Sequence, residues 1–259
     1  MNHPKGKIVI RKVLMDVETV LDVDAAARAG FEDDGTFAPF PLHALACVSL
    51  LVVERDAQAK PVFSLHSFTR ETLSERGIVA WVERALSDSF EVLTFNGRGF
   101  DVPVLMARAA LAGEYAPTIG RLHMQRRNSA GIHVDLLEAV TAFGAAPKVS
   151  LRQLCSAFSI PCKLTADAGD VASLVAAGAW SGVANYCETD VIATYLASEI
   201  WQGAERGTSE LAREAWHLLA DWIGSNQPKL AHLQPYTDPP ALPGGGAVLG
   251  AVDYRELGW

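Results

Sequence analysis

The sequence predicts one α/β domain in which a mixed β-sheet is flanked by α-helices. Three observations predict it. Apolar segments of strand length come first, strand-like and helix-like segments then alternate, and the last part is helical. This order is typical of a single α/β domain with a mixed sheet. The chain has 259 residues, of which 49% are hydrophobic, and this is enough for one large core.

The predicted strands are apolar runs bounded by turn-forming residues. Residues 42–54 are apolar throughout, which indicates a strand covered on both faces. Residues 23–41 are acidic and punctuated by Gly and Pro, and they are predicted to form a loop. The other predicted strands are residues 7–17, 61–68, 90–95 and the first part of 131–140.

The predicted helices follow from apolar residues at helical spacing and from capping residues. Pro103 is favoured in a first turn and predicts a helix that continues to about Ala112. The remaining predicted helices are residues 71–88, the second part of 131–140, 150–158, 179–202 and 208–226.

The predicted organisation has three parts. Residues 1–203 form the domain, residues 204–226 add a C-terminal helix, and residues 227–259 form a Pro/Gly-rich tail that is extended or mobile. The apolar face of the added helix is expected to pack within the chain.

Composition restricts the class of protein. The net charge of −8 gives no basic envelope for nucleic acid, although local patches can still steer a ligand. The four cysteines have no metal-binding spacing and are expected to be free thiols. No apolar run approaches the roughly 18 residues needed to span a bilayer. We therefore expect a soluble, cytoplasmic protein without a membrane partner.

Asp16 and Glu18 are two residues apart in the first predicted strand, so their side chains share one face. Two carboxylates in a core repel each other, and each costs several kcal/mol to desolvate unless it is paired or bound to metal. A basic residue across the sheet is the alternative partner. The nearby Asp22 is expected at the surface.

Two further acids lie at informative places. Asp101 follows a strand and a Gly-containing turn, where α/β proteins place site residues, although it could also cap the next helix. Asp190 flanks the buried stripe of a long helix, and Tyr186 lies one turn earlier on the same side. A solvated helix face and an ordinary half-buried tyrosine are the alternatives.

Taken in order, these patterns resemble the DEDD superfamily of 3′–5′ exonucleases, in the DEDDy branch whose last motif is Tyr-x₃-Asp. Within that branch the chain is similar to stand-alone bacterial proteins that resemble the proofreading domain of family-B DNA polymerases. The resemblance implies an RNase H-like fold. The matching stretches are MDVET (15–19), LTFNGRGFDVPVL (93–105), HVDLLE (133–138), SLRQLCSAFSIPCK (150–163) and YCETDVIATY (186–195).

The resemblance implies a two-metal-ion mechanism with Mg²⁺ or Mn²⁺, which carboxylate oxygens bind. Asp16 would contact both cations, Glu18 and Asp190 would complete one, and Asp101 would support the other. Tyr186 would orient the attacking water, because a tyrosine with an ordinary pKa near 10 is a better positioner than base. The implied activity is hydrolysis at the 3′ end of single-stranded DNA, with release of nucleoside 5′-monophosphates.

The resemblance also implies substrate contacts. The main chain at Val17 and Thr19 would lie near the terminal nucleotide. Asn96 and Phe100 belong to the second motif, and Phe100 could stack on bases or anchor the start of a helix.

Arg126 and Arg127 lie in the basic segment 121–128, which is predicted to be a loop. They could follow the phosphate backbone or simply be solvated. Asp135 is expected to give structural support.

Two other functions remain open. An exoribonuclease of the same architecture would use the same acids, because recognition of the 2′-hydroxyl depends on details of the pocket. A non-catalytic nucleic-acid-binding module is the second alternative. The presence of all four acids and the tyrosine favours the enzyme, and DNA is favoured over RNA.

Overall fold

A five-stranded mixed sheet forms the centre of the protein. The computed structural model describes residues 9–32, 34–56, 60–127, 131–162, 171–207 and 210–240. The strands are β1 (Val9–Leu21), β2 (His43–Asp56), β3 (Val62–Thr69), β4 (Glu91–Thr94) and β5 (His133–Asp135). Their order in the sheet is β3–β2–β1–β4–β5, and β1 is antiparallel to β2 but parallel to β4. All five predicted strands are present, and β1 continues four residues beyond its predicted end.

Helices cover both faces of this sheet. Among the described residues, no helix combines the length and apolar composition needed to cross a bilayer. Short 3₁₀ segments occur at Phe40–Leu42, Ala142–Gly144 and Ala231–Thr237. The helices are α1 (Val23–Ala29), α2 (Glu75–Leu86), α3 (Asp101–Ala112), α4 (Pro117–Met124), α5 (Leu136–Val140), α6 (Leu151–Ala157), α7 (Val171–Ala176), α8 (Trp180–Glu205) and α9 (Glu210–Ser225).

The alternation of side chains along β1 divides the core into two layers. Val13 and Met15 pack with residues of α2, α3 and α4. Leu14 points to the other face and packs with residues of α8 and α9. Asp16 and Glu18 follow Leu14 at intervals of two, so the pleat turns them toward the face that α8 covers.

The C-terminal part packs on this second layer. Trp216 on α9 is fully buried, and its Nε1 donates a hydrogen bond of 2.9 Å to the carbonyl oxygen of Tyr236. The buried Tyr236 hydroxyl donates in turn to the carbonyl oxygen of Thr189 on α8, at 3.2 Å. The expected packing of this helix within the chain is confirmed. The division predicted after residue 203 falls inside α8, and residues 231–237 of the predicted tail belong to the core because burial of Leu233 and Tyr236 holds them there.

The prediction of a continuous loop over residues 23–41 is wrong, because α1 begins there. Asp22 caps this helix by accepting a hydrogen bond of 3.0 Å from the backbone N–H of Ala25. Its other oxygen pairs with Arg108 of α3 at 2.8 Å, so Asp22 is half-buried and is not the expected surface residue. Arg108, which pairs with the capping residue, is 86 positions further along the sequence. Local sequence therefore did not reveal this ion pair.

The basic segment 121–128 is also not wholly a loop, because α4 extends to Met124. The Glu83 carboxylate on α2 accepts hydrogen bonds of 2.8–3.0 Å from the backbone N–H groups of Thr118 and Ile119. A capping side chain supplied by another helix leaves no local signal in the sequence. This explains why the helix was not predicted.

His133 joins the parallel strands β4 and β5, because its Nε2 lies 2.9 Å from Thr94 Oγ1. Burial, and then the positive charge of Arg98, lower the pKa of His133 from 6.5 to about 4. The unfolded chain therefore takes up this proton at a higher pH than the folded chain. We expect the free energy of unfolding to fall as the pH is lowered from about 6.5 to about 4.

Between pH 7 and pH 5 this single group should lower the free energy of unfolding by about 2 kcal/mol. Urea unfolding at both pH values measures the loss. The variant His133→Asn should lack this part of the pH dependence. His217→Asn, at an exposed position of α9, is the matched control. Equal pH dependence of wild type and His133→Asn would contradict the prediction.

Candidate active site

Acids from two elements meet at the end of β1. Asp16 on β1 and Asp190 on α8 line the same cleft, which has a volume of about 530 Å³. A carboxylate oxygen of Asp16, one of Glu18 and the Sγ of Cys187 all lie within 4.8 Å of one another. Directly after Glu18 the register between β1 and β2 shifts by a β-bulge, a feature over-represented beside active sites.

Cys187 belongs to this cluster and was not predicted from the sequence. Its Sγ donates to the carboxylate Oδ2 of Asp16 at 3.3 Å and to the carbonyl oxygen of Asp16 at 3.4 Å. Burial raises the pKa of the Cys187 thiol well above its usual value, so the sulfur stays protonated and neutral beside the carboxylate. The spacing of three residues from Asp190 was the available signal. As expected, all four cysteines are free thiols.

Asp101 is the first residue of α3, and its side chain is buried. Burial raises the pKa of its carboxyl well above the ordinary value, and the negative charges of Asp16 and Asp135 raise it further. The backbone N–H of Val17 donates a hydrogen bond to the Asp101 carboxyl group and partly offsets this effect. Phe100, and not Asp101, occupies the N-cap position of α3. The carboxyl group therefore lies where a proton or a cation is needed to stabilise it.

The turn that leads to Asp101 is tied to β5. Asp135 accepts hydrogen bonds of 2.9 Å from the backbone N–H groups of Asn96 and Arg98, in line with its expected supporting role. Gly97 passes so close to Asp101 that a Cβ there would lie 2.8 Å from its Oδ2 and 2.5 Å from Thr94 Oγ1. Only glycine fits at this position, and the turn fixes the buried carboxyl group.

The predicted basic residues Arg126 and Arg127 are not among the residues that line the cleft. Arg127 is exposed and pairs with Glu138 at 2.6 Å, and Arg98 pairs with the other oxygen of Glu138 at 2.8 Å. Arg126 is exposed, and neither it nor Arg127 lines the cleft that Asp16 and Asp190 share.

Two different basic side chains do line that cleft. Lys148 and Arg152 flank Ser150, which caps α6, and within the described ranges neither side chain has an ion-pair partner. The sequence analysis did not single them out. Their position at the start of the matching stretch 150–163 was the available signal.

The remaining predicted residues surround the acids. The Val17 side chain is buried on the opposite face of β1, and Asn96 lines the cleft. Thr19 Oγ1 lies 2.8 Å from His43 Nδ1. The Phe100 ring is 4.9 Å, between centroids, from the His43 ring. Tyr186 is half-buried, one turn before Asp190 on α8.

The donor atoms fit divalent cations. Carboxylate oxygens are the ligands that Mg²⁺ and Mn²⁺ prefer. The four acids that could hold them are Asp16, Glu18, Asp101 and Asp190. Burial of Asp101 beside Asp16 leaves negative charge that a cation would stabilise.

Comparison with solved structures finds similar chains at low sequence identity. The family B DNA polymerase of the hyperthermophilic archaeon Pyrobaculum calidifontis is 16% identical, with a TM-score of 0.53 over 83% of this chain and 29% of the polymerase. Apo exonuclease I is 13% identical, with a TM-score of 0.48 over 86% of this chain and 47% of its own. The zinc-bound complex of E. coli exonuclease I with single-stranded DNA is 14% identical, with a TM-score of 0.49 over 86% and 45%. This chain thus covers less than half of each of these proteins. The predicted RNase H-like fold is confirmed.

No curated protein matches the chain in sequence. A family model does match it, over residues 35–239, and the family is described as predicted 3′–5′ exonucleases related to the exonuclease domain of PolB. Asp101, Tyr186 and Asp190 lie inside the matched residues, and Asp16 and Glu18 precede them. Since the match covers most of the chain, the protein is a member of this 3′–5′ exonuclease family, as its ordered motifs had predicted.

Proposed function

We propose that this exonuclease hydrolyses the 3′-terminal phosphodiester bond of single-stranded DNA with two divalent cations, Mg²⁺ or Mn²⁺, and releases nucleoside 5′-monophosphates. One observation carries the proposal. Glu18 and Asp190 share a cluster or a cleft with Asp16, and the buried Asp101 interacts electrostatically with it. Asp16 and Asp190 line the open cleft, and the contacts of Asp16 with Glu18 and with the buried Asp101 support the assignment of all four acids to one metal site.

We assign Asp16 to both cations. Glu18 and Asp190 would complete the coordination of one cation, and Asp101 would support the other. When bound, the cations stabilise the negative charge that develops on the phosphate and on the attacking and leaving oxygens. Without the cations, the negative charge of the acids would repel a phosphate, which carries charge of the same sign.

In the reaction, a water oxygen forms a bond to phosphorus while the bond from phosphorus to the 3′-oxygen of the penultimate nucleotide breaks. The water loses a proton to solvent, and the leaving oxygen gains one. We assign Tyr186 to orient this water through its hydroxyl group. Its position one helical turn before Asp190 supports the assignment.

Basic side chains along the cleft support a nucleic-acid substrate. With a net charge of −8, the chain attracts a polyanion only where positive charge is concentrated. Lys148 and Arg152 supply such charge beside Asp16 and Asp190. We propose that they bind the phosphates of the incoming strand, together with Arg126 and Arg127 further away, and that Asn96 contacts the terminal nucleotide.

The first prediction tests the activity. We expect 5′-labelled single-stranded DNA to shorten from its 3′ end with Mg²⁺ or Mn²⁺, and EDTA to stop the reaction. Asp16→Asn should lower the rate roughly 10³-fold, because it removes a carboxylate that stabilises transition-state charge through the cations. Asp88→Asn, at an exposed position, is the control. Degradation of RNA but not of DNA would contradict the DNA assignment, and no degradation of either would contradict the proposal.

The second prediction concerns Tyr186. Tyr186→Phe should lower kcat roughly 10²-fold, because the attacking water loses its orienting hydroxyl group. The affinity for Mn²⁺, measured by calorimetry, should not change. Tyr115→Phe, at a residue that is 82% exposed in the turn between α3 and α4, should change neither quantity. A parallel loss of Mn²⁺ affinity in Tyr186→Phe would show that the tyrosine acts on the metal site instead.

The third prediction concerns the phosphate path. The logarithm of affinity for single strands falls with the logarithm of salt concentration by about 0.7 per contacted phosphate. Lys148→Ala combined with Arg152→Ala should therefore reduce this slope by about 1.4. Arg126→Ala combined with Arg127→Ala is the charge-matched comparison, and an unchanged slope would remove these two residues from the path. An unchanged slope in the Lys148 and Arg152 variant would show that these two side chains do not contact the phosphates.

A further inference from the structure

A second pocket lies at the opposite end of the parallel strands from the cleft. It has a volume of about 230 Å³ and is lined by the first residues of β1 and β4, the last residues of β2 and the C-terminal part of α8. On β1, Lys12 in this pocket precedes Asp16 in the cleft by four residues, which is about 13 Å along a strand. Among the described residues, none lines both, so the pocket is separate from the proposed reaction centre.

Tyr195 gives this pocket an unpaired polar group. It is 2% exposed, and its ring packs edge to face on Phe63 with the centroids 5.8 Å apart. Within the described ranges its hydroxyl group has no hydrogen-bond partner, whereas buried tyrosine hydroxyls usually have one. Burial, and then the negative charge of Glu199, raise the pKa of Tyr195. The hydroxyl group therefore keeps its proton and can donate it to a ligand.

Two arginines at the rim supply positive charge. Arg55 on β2 and Arg206 at the end of α8 are exposed, and neither has an acidic partner in the part of the chain that the structure describes. The Nη2 of Arg206 donates a hydrogen bond of 3.0 Å to Oε1 of Gln202, which orients its guanidinium group. The charge of Arg55 partly offsets the rise in the pKa of Tyr195, so this guanidinium group acts on the buried hydroxyl group.

The acids of the pocket are held by Lys12. Its Nζ lies 3.2 Å from Oε1 of Glu91 and 3.1 Å from Oε1 of Glu199. Three basic and two acidic side chains line the pocket, so its local charge is positive on a chain whose net charge is −8. Because Oε1 of Glu199 pairs with the lysine, Oε2 is the oxygen that can accept a hydrogen bond from a sugar hydroxyl.

An apolar rim adjoins these polar groups. Phe90 and Ile10 line the pocket and are 67% and 43% exposed. The backbone N–H of Phe90 donates a hydrogen bond of 2.8 Å to the carbonyl oxygen of Arg11, which fixes the residue against β1. An aromatic ring with most of its surface in water offers area on which a base can stack. The pocket thus combines donors for an anion with an apolar surface for a ring.

We propose that this pocket binds a nucleoside 5′-monophosphate. Arg55, Arg206 and the hydroxyl group of Tyr195 hold its phosphate, and the base stacks on Phe90. A phosphate monoester carries a charge of about −1.5 to −2 at pH 7, which two guanidinium groups match. Additional phosphates would carry more charge than these two groups neutralise. The pocket is smaller than a typical site for a drug-sized ligand, so phosphate and sugar fill it and the base lies on the rim.

The ligand belongs to the class that the proposed function releases, but binding does not require hydrolysis. The test measures binding of deoxyadenosine 5′-monophosphate to the full chain by calorimetry in EDTA. Arg55→Ala combined with Arg206→Ala should weaken binding about 10-fold or more, because the phosphate loses both guanidinium groups. Arg28→Ala combined with Arg84→Ala, at exposed positions of α1 and α2, should bind like wild type. Equal affinity in wild type and the Arg55 and Arg206 variant would overturn the site.

A variant that removes one oxygen atom tests the unpaired hydroxyl group. Tyr195→Phe keeps the ring against Phe63 and should weaken nucleotide binding about 10-fold, as expected for a lost hydrogen bond to a charged group. Tyr115→Phe, at a residue that is 82% exposed, should leave the affinity unchanged. Full affinity in Tyr195→Phe would contradict the position assigned to the phosphate.

Inorganic phosphate separates a nucleotide site from a simple anion site. It should bind about 5-fold or more weakly than the nucleotide, because it lacks a base that can stack. Phe90→Ala should remove this difference. Phe37→Ala, which removes a phenylalanine that is 75% exposed at another pocket, should keep it. Equal affinities of the wild type for phosphate and for the nucleotide would overturn the nucleotide assignment.

The outcome is distinguishable from failure of the proposed function. Lys148→Ala combined with Arg152→Ala should bind the nucleotide like wild type, and a loss in this variant alone would place the nucleotide in the cleft and overturn the pocket. Nucleotide binding that depends on Arg55 and Arg206 in a chain that hydrolyses no DNA would support the pocket and contradict the hydrolytic function. Hydrolysis by a chain that binds no nucleotide here would support the function and overturn the pocket. The exposed arginine pair keeps the test valid if Tyr195→Phe lowers the midpoint of thermal unfolding.

Discussion

Repulsion between the carboxyl groups of Asp101 and Asp16 is the constraint on which the organisation of this site depends. Burial makes the repulsion stronger, because water does not screen it. Apolar packing in the core stabilises the fold and offsets the free-energy cost of this repulsion. Trp216 and Tyr236 hold α8 against the sheet, and α8 carries Asp190 toward the same cleft. The fold thus tolerates a local concentration of negative charge that a divalent cation would stabilise.

Three contacts around Asp101 position the backbone before any cation is bound. Asp135 accepts hydrogen bonds from the preceding turn, Gly97 lets that turn approach closely, and the Val17 N–H donates to the carboxyl group from β1. A cation would then meet ligands that are already positioned, and less ordering entropy would be lost when it binds.

On the substrate side, positive charge is concentrated at the cleft. Lys148 and Arg152 line the cleft with Asp190, whereas the net charge of the chain is −8. The proposed strand would therefore be held through its phosphates by these two side chains. Contacts to phosphates do not depend on base identity, which is what an enzyme that removes successive nucleotides requires.

The sequence by itself determined the order of the strands and of most of the described helices, the RNase H-like fold and the family. It also indicated the candidates Asp16, Glu18, Tyr186 and Asp190, because the two-residue period of β1 and the turn of α8 are local properties. The Gly-containing turn before α3 indicated Asp101 as the fifth. Tertiary structure alone decided what depends on distant partners. The pairing of Asp22 with Arg108, the capping of α4 by Glu83 and the contact between the rings of Phe37 and Phe100 join residues 35 to 86 positions apart. Contacts over such separations arise from how the elements pack, and no local period in the sequence encodes them.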